Sequence, residues 1–153
     1  MLQSKGAFQR YLKPACVVRL ESSNREEVIH QLVEVAARVG LLEDPNLFEQ
    51  AVLEREKIIS TGIGLGIALP HAKLHGQKDF FICCALLPEG ADWKAMDGEP
   101  CHLVFLIGGP DDQPSAYLQL LSQLTSLLRE DDRRKQLLKS QTTDDILAIL
   151  KGF

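Results

Sequence analysis

The sequence predicts an α/β layered domain, a mixed and largely buried β-sheet flanked by helices on both faces. Three observations lead there. The runs "FFICCALL" (80–87) and "HLVFLIGG" (102–109) are apolar along nearly their whole length, as strands covered on both sides are. Segments of helical periodicity stand before and after them, and such interleaving favours packed α/β layers. With 153 residues the chain has the usual size of one globular domain, expected to span 1–153 and to hold a core without disulfides or metals.

In chain order, "CVVRL" (16–20) is a short β-branched strand. It leads into "SSNREEVIHQLVEVAARVG", where Ser23 and Asn24 are capping residues with Glu26 and Glu27 three positions on. Val28, Leu32, Val35, Ala36 and Val39 recur at helical spacing, and Gly40 stands where a left-handed terminating residue belongs. A second helix begins at the Asp44-Pro45 pair and runs to about Glu56, with Leu47, Phe48, Ala51, Val52 and Leu53 on its buried side. The glycine-rich stretch "STGIGLGIALPHA" (60–72) follows, with "IAL" as a further short strand. Between the two long apolar runs, "DGEP" at 97–100 signals a turn, preceded by Trp93 and Met96. The last third is helical: "PSAYLQLLSQLTSLLRE" carries leucines at 118, 121, 124 and 128, and "DDRRKQLLKS" and "TTDDILAILKGF" read as two shorter capped helices.

Composition excludes several functions. The charge balance, 17 basic against 21 acidic residues, is mildly negative and scattered, so nucleic acid is not expected as a partner. No window approaches the roughly 18 consecutive apolar residues of a membrane-spanning helix, so no membrane insertion is expected. The N-terminal "MLQSKGAFQRYLKPA" carries Lys5, Arg10 and Lys13 without an apolar signal core or cleavage pattern, which suggests a cytoplasmic protein. Cys16, Cys83, Cys84 and Cys101 lack C-x-x-C spacing and read as small core residues.

Chemistry concentrates around the glycines. The dinucleotide fingerprint would need glycine where Ile67 stands, and no Gly-Lys-Ser/Thr supplies a P-loop, so no nucleotide or other cofactor is expected. What remains is a backbone able to turn sharply and approach an anion closely, with Arg55, Lys57, Ser60 and Thr61 just before it and His71 just after. A neutral imidazole has one free lone pair with which to attack phosphorus. Arg55 and the loop amides are the right groups to compensate phosphoryl charge, and Pro70 would fix the approach of His71. On local sequence alone, a tight turn followed by a hydrogen-bonded strand-end histidine accounts for the same residues.

The order "REKIISTGIGLGIALPHA" (55–72) resembles the active-site signature of the enzyme IIA components of the bacterial phosphotransferase system, in the fructose, mannitol and nitrogen-branch family. "AVLERE", "AMDGEPCHLVFLIGGPDD" and the leucine-rich segment after Pro114 extend the resemblance along nearly the whole chain. The resemblance implies that His71 accepts a phosphoryl group from HPr or its nitrogen-branch relative. His71 would then pass it to a cysteine of a IIB partner or keep it as a signal to a regulated target. It implies that Arg55 stabilises the phosphoryl group and that Ser60, Thr61, Gly62 and Gly64 shape its pocket, with no metal and no cofactor. Family members commonly carry a second active-site histidine where this chain has Tyr117, which can donate a hydrogen bond but cannot become cationic.

A docking partner calls for an apolar rim, for which Ile63, Leu65 and Leu74 are the candidates, with Asp92, Trp93 and Asp97 also near the site. His75, four residues after His71, has no third ligand to make a metal site. His30 falls on the polar side of its helix and His102 at a strand start. No IIB or IIC segment is recognisable in the sequence, which inclines the expectation towards a nitrogen-branch-type regulator. A sugar-specific relay and a protein-binding module that is never phosphorylated are the alternatives.

Overall fold

A computed structural model describes residues 8–152; Lys5 and the outermost ends of the expected 1–153 domain lie outside them. The elements run β1 (Val17–Arg19), α1 (Arg25–Arg38), α2 (Pro45–Ile58), β2 (Gly62–Gly64), β3 (Ile67–Ala68), β4 (His71–Leu74), β5 (Phe81–Ala91), β6 (Cys101–Pro110), α3 (Pro114–Leu128), α4 (Asp131–Leu138) and α5 (Thr143–Lys151). The sheet has six strands in the order β1-β5-β6-β3-β2, with β4 also pairing with β6. It is mixed: β5 and β6 are antiparallel, while β1 runs parallel to β5 and both β3 and β4 run parallel to β6.

Alternation along the two long strands sorts the core into two layers. Phe81, Cys83, Ala85 and Leu87 of β5 join Val104 and Leu106 of β6 under α1 and α2, against Val28, Leu32, Phe48 and Val52. Ile82, Cys84 and Leu86 join Leu103, Phe105 and Ile107 on the opposite face under α3, α4 and α5. Helices therefore cover both faces, as the apolar runs predict. All four cysteines are buried within these layers.

The helix ends follow the predicted capping chemistry. Asn24 accepts the Glu27 amide at 2.9 Å, and Asp44 accepts that of Leu47 at 3.1 Å. Gly40, at φ +83°, closes α1: its own amide bonds Ala37 and that of Leu41 bonds Ala36. Helix α2 runs two residues past the expected end at Glu56. On α3 the buried face is Tyr117, Leu120, Leu124 and Leu128; it keeps Leu124 and Leu128 of the leucine stripe but has Tyr117 and Leu120 in place of Leu118 and Leu121, and Leu118 is exposed. No helix among the described residues is long and apolar enough to cross a membrane.

Candidate functional site

The glycine stretch forms β2, turns sharply, and returns as β3 along β6. Gly64, Leu65 and Gly66 are consecutively left-handed, at φ +83°, +62° and +82°. Two glycines and one strained leucine make that turn. Its tip is tied down by Asp97, whose carboxylate accepts the Leu65 amide at 2.9 Å.

Its base rests on a buried carboxylate. Glu56, at the end of α2, accepts the Thr61 amide at 3.1 Å and the Thr61 hydroxyl, and lies 3.8 Å from Arg25. The indole N–H of fully buried Trp93 donates to the Thr61 hydroxyl at 3.2 Å. Ser60 donates its hydroxyl to the Trp93 carbonyl and accepts the Gly62 amide at 3.0 Å. The hydroxyls of Ser60 and Thr61, and the amides of Thr61, Gly62 and Leu65, are thus committed within the protein. The loop is a shaped wall here, its hydroxyls and these amides serving the fold.

Strands β3 and β4 lie on one edge of β6 in a single register, Ile67 beside Leu103 and His71 beside Ile107, interrupted at Leu69–Pro70. At this break the Leu69 carbonyl turns to His71 and accepts Nδ1–H at 2.7 Å, which leaves Nε2 with the free lone pair. Burial holds the His71 pKa below the ordinary imidazole value; the Leu69 bond opposes this, and the nearby Arg55 charge adds to it. Burial therefore favours the neutral ring.

The charge of Arg55 acts on both His71 and Tyr117, and its guanidinium donates to the Ile59 carbonyl at 3.1 Å. Tyr117 comes from the first turn of α3, its ring 6.0 Å from that of His71, and burial raises its pKa so that it remains a neutral phenol. Lys57 does not join this group; it pairs with Glu54 at 3.3 Å.

The family model described as "Phosphoenolpyruvate-dependent sugar phosphotransferase system, EIIA 2" matches residues 10–152. The chain belongs to this family. It is an EIIA-type phosphotransfer domain. It is 38% identical over 133 residues to the fructose-specific EIIABC component of Bacillus subtilis, covering 87% of this chain but 21% of that protein. It is 35% identical over 142 residues to the fructose-specific EIIA component of Haloferax volcanii, covering 90% of this chain and 92% of the relative. The nitrogen regulatory protein IIA-Ntr of Neisseria meningitidis superposes with a TM-score of 0.84 at 25% identity, over 92% of this chain and 97% of that one.

Around this EIIA site the exposed apolar residues differ from those expected. Ile63 and Leu74 pack against the core, so of the three rim candidates only Leu65 is exposed, joined by Ile58, Ile59, Met96 and Leu118. Trp93 lies beneath the loop rather than on a rim, and Asp92 bridges to Asn24 at the start of α1. Sequence reasoning placed Glu56 in the motif and near the end of α2 but missed its anchoring role, because Arg25 beside it and Trp93, which shares its partner Thr61, are far along the chain. The available signal was that Glu56 continues the i, i+4 row of Phe48 and Val52 on the apolar side of the helix.

Proposed function

We propose that this EIIA domain accepts a phosphoryl group on Nε2 of His71 from the phosphohistidine of an HPr-type carrier, in the cytoplasm. The observation that carries the reading is the Nδ1–H to Leu69 bond at 2.7 Å, which fixes the tautomer and leaves Nε2 as the nucleophile. The Nε2 lone pair forms the new N–P bond as the N–P bond to the donor breaks. The donor imidazole leaves with that electron pair as the neutral ring, and Nδ1–H of His71 stays on Leu69. Arg55 offers a planar cationic fork to the transferred oxygens. No metal or cofactor enters this scheme.

The carrier docks over the site on the exposed apolar residues Leu65, Ile58 and Ile59. The fold similarity to IIA-Ntr supports a nitrogen-branch-type regulator, in which phospho-His71 is a signal read by a target protein. The identities to fructose-specific components favour a second reading, a relay handing the phosphoryl group to a IIB cysteine.

The test is incubation with phosphoenolpyruvate, enzyme I and HPr-type carriers of both branches, read by intact mass and acid lability. An acid-labile adduct on wild type and none on His71→Ala is expected, and chase onto a IIB cysteine would decide for the relay. A folded wild type that takes no adduct from either carrier would leave a binding module on an EIIA fold.

A further inference from the structure

The phosphoryl site is short of positive charge. A phosphoryl group on His71 brings about −2 charge at neutral pH, and Tyr117 is a neutral phenol where the resembling family has a histidine. The Ser60 and Thr61 hydroxyls and the amides of Thr61, Gly62 and Leu65 already have partners. Of the cations described so far, Arg55 is the one whose charge acts on His71.

Lys73 stands two residues after His71 on β4, so both side chains project from the same face. Its ammonium lies over the Tyr117 ring, 5.5 Å from the centroid, and that ring is the one 6.0 Å from the imidazole. Lys73 is paired in register with Gly109 of β6, and the missing side chain there is filled by Phe80: a Cβ on Gly109 would come within 2.4 Å of its ring. Phe80 in turn stacks on Tyr117 at 6.4 Å and 25°. The aromatic stack fixes a platform, the platform faces the nucleophile, and the exposed lysine rests its charge on it without a carboxylate partner among the described residues.

We propose that Lys73 is a second cationic ligand of the phosphoryl group on His71, with Tyr117 acting as the aromatic platform that positions its ammonium rather than as a hydroxyl donor. This rests on the phosphoryl-acceptor reading above. Lys73 forms an N–H···O–P hydrogen bond; it exchanges no proton and makes no covalent bond, so the transfer step balances as already written. The cation–π contact holds the lysine near its place before the phosphoryl group arrives.

The experiment is rapid-quench phosphorylation by phospho-HPr of wild type and of Lys73→Met, Lys73→Arg, Tyr117→Phe, Tyr117→Leu and the Lys73→Met/Tyr117→Leu pair, with thermal melts as a check on folding. Lys73→Met is expected to slow transfer at saturating donor roughly 10- to 100-fold with the donor KM nearly unchanged, and Lys73→Arg to recover most of it. Tyr117→Phe should stay within about threefold of wild type because the ring is retained. Tyr117→Leu should slow transfer, and the double variant should be no slower than Lys73→Met, since the platform acts only through the lysine. A Lys73→Met protein that transfers at the wild-type rate, or a Tyr117→Phe protein as slow as Tyr117→Leu, overturns the inference while leaving the acceptor reading intact. A folded wild type that takes no phosphoryl group overturns both.

Discussion

The loop from Ser60 to Lys73 joins two ends built on opposite terms. At the first, Glu56, Thr61, Trp93 and Ser60 form one hydrogen-bonded set inside the protein, and Asp97 holds the Leu65 amide. At the second, His71 is held by one carbonyl and the register of β4 on β6, and its remaining nitrogen has no hydrogen-bond partner among the described residues. Buried polar groups are stabilising only when fully satisfied, whereas a nucleophile must keep one valence open. The chain separates the two demands within one connection, so stability and chemistry should respond to different substitutions.

The sharpest separation is expected from His71→Ala, which should abolish the phosphate adduct in intact mass while leaving the urea midpoint close to wild type. Glu56→Ala should do the reverse in the first instance. It strands the Thr61 amide and hydroxyl and leaves Arg25 with Glu26 alone, at a cost of about 3 kcal/mol in denaturant unfolding, and Glu56→Gln should lose less. Equal stability losses for His71→Ala and Glu56→Ala would break the comparison.

Leu65→Gly tests the tip. It relieves a left-handed leucine at φ +62°, so stability should be unchanged or gain up to about 1 kcal/mol, while the donor KM rises several-fold as an exposed apolar contact is lost. The smallest effect concerns pH. Because burial lowers the His71 pKa, the acid limb of the phosphorylation rate should fall below about pH 6.5. The same shift means the folded state binds fewer protons than the unfolded chain, so the His71 contribution to stability declines as pH falls through about 6.5 and is fully lost below the folded pKa. His71→Ala should remove that slope from the unfolding free energy.

The two long strands and the helices were legible because burial on one or both faces leaves a periodic trace. The short strands were harder. In β4, "HAKL" mixes exposed and buried residues, and β2 consists largely of glycine, so neither has an apolar signature. Helix α3 is rich in leucine on several sides, and periodicity could not tell the stripe through Leu118 and Leu121 from the one through Tyr117 and Leu120. Tyr117, amphipathic by nature, decides it by turning into the site. His71 and Arg55 were singled out through the ordered motif, since spacing alone also allowed a plain turn. The Glu56–Thr61–Trp93 set joins residues distant in sequence, where no local pattern reaches.

Strand β6 has neighbours along both edges, β5 on one side and β3 and β4 on the other. Amides in such a strand open only when much of the domain opens, and in hydrogen exchange they should be among the last to take up deuterium. The Leu65 tip, tied by one amide to an exposed carboxylate, should exchange early. A partner can therefore remodel the tip on docking while the imidazole, carried on β4 against the slowest part of the sheet, keeps its place.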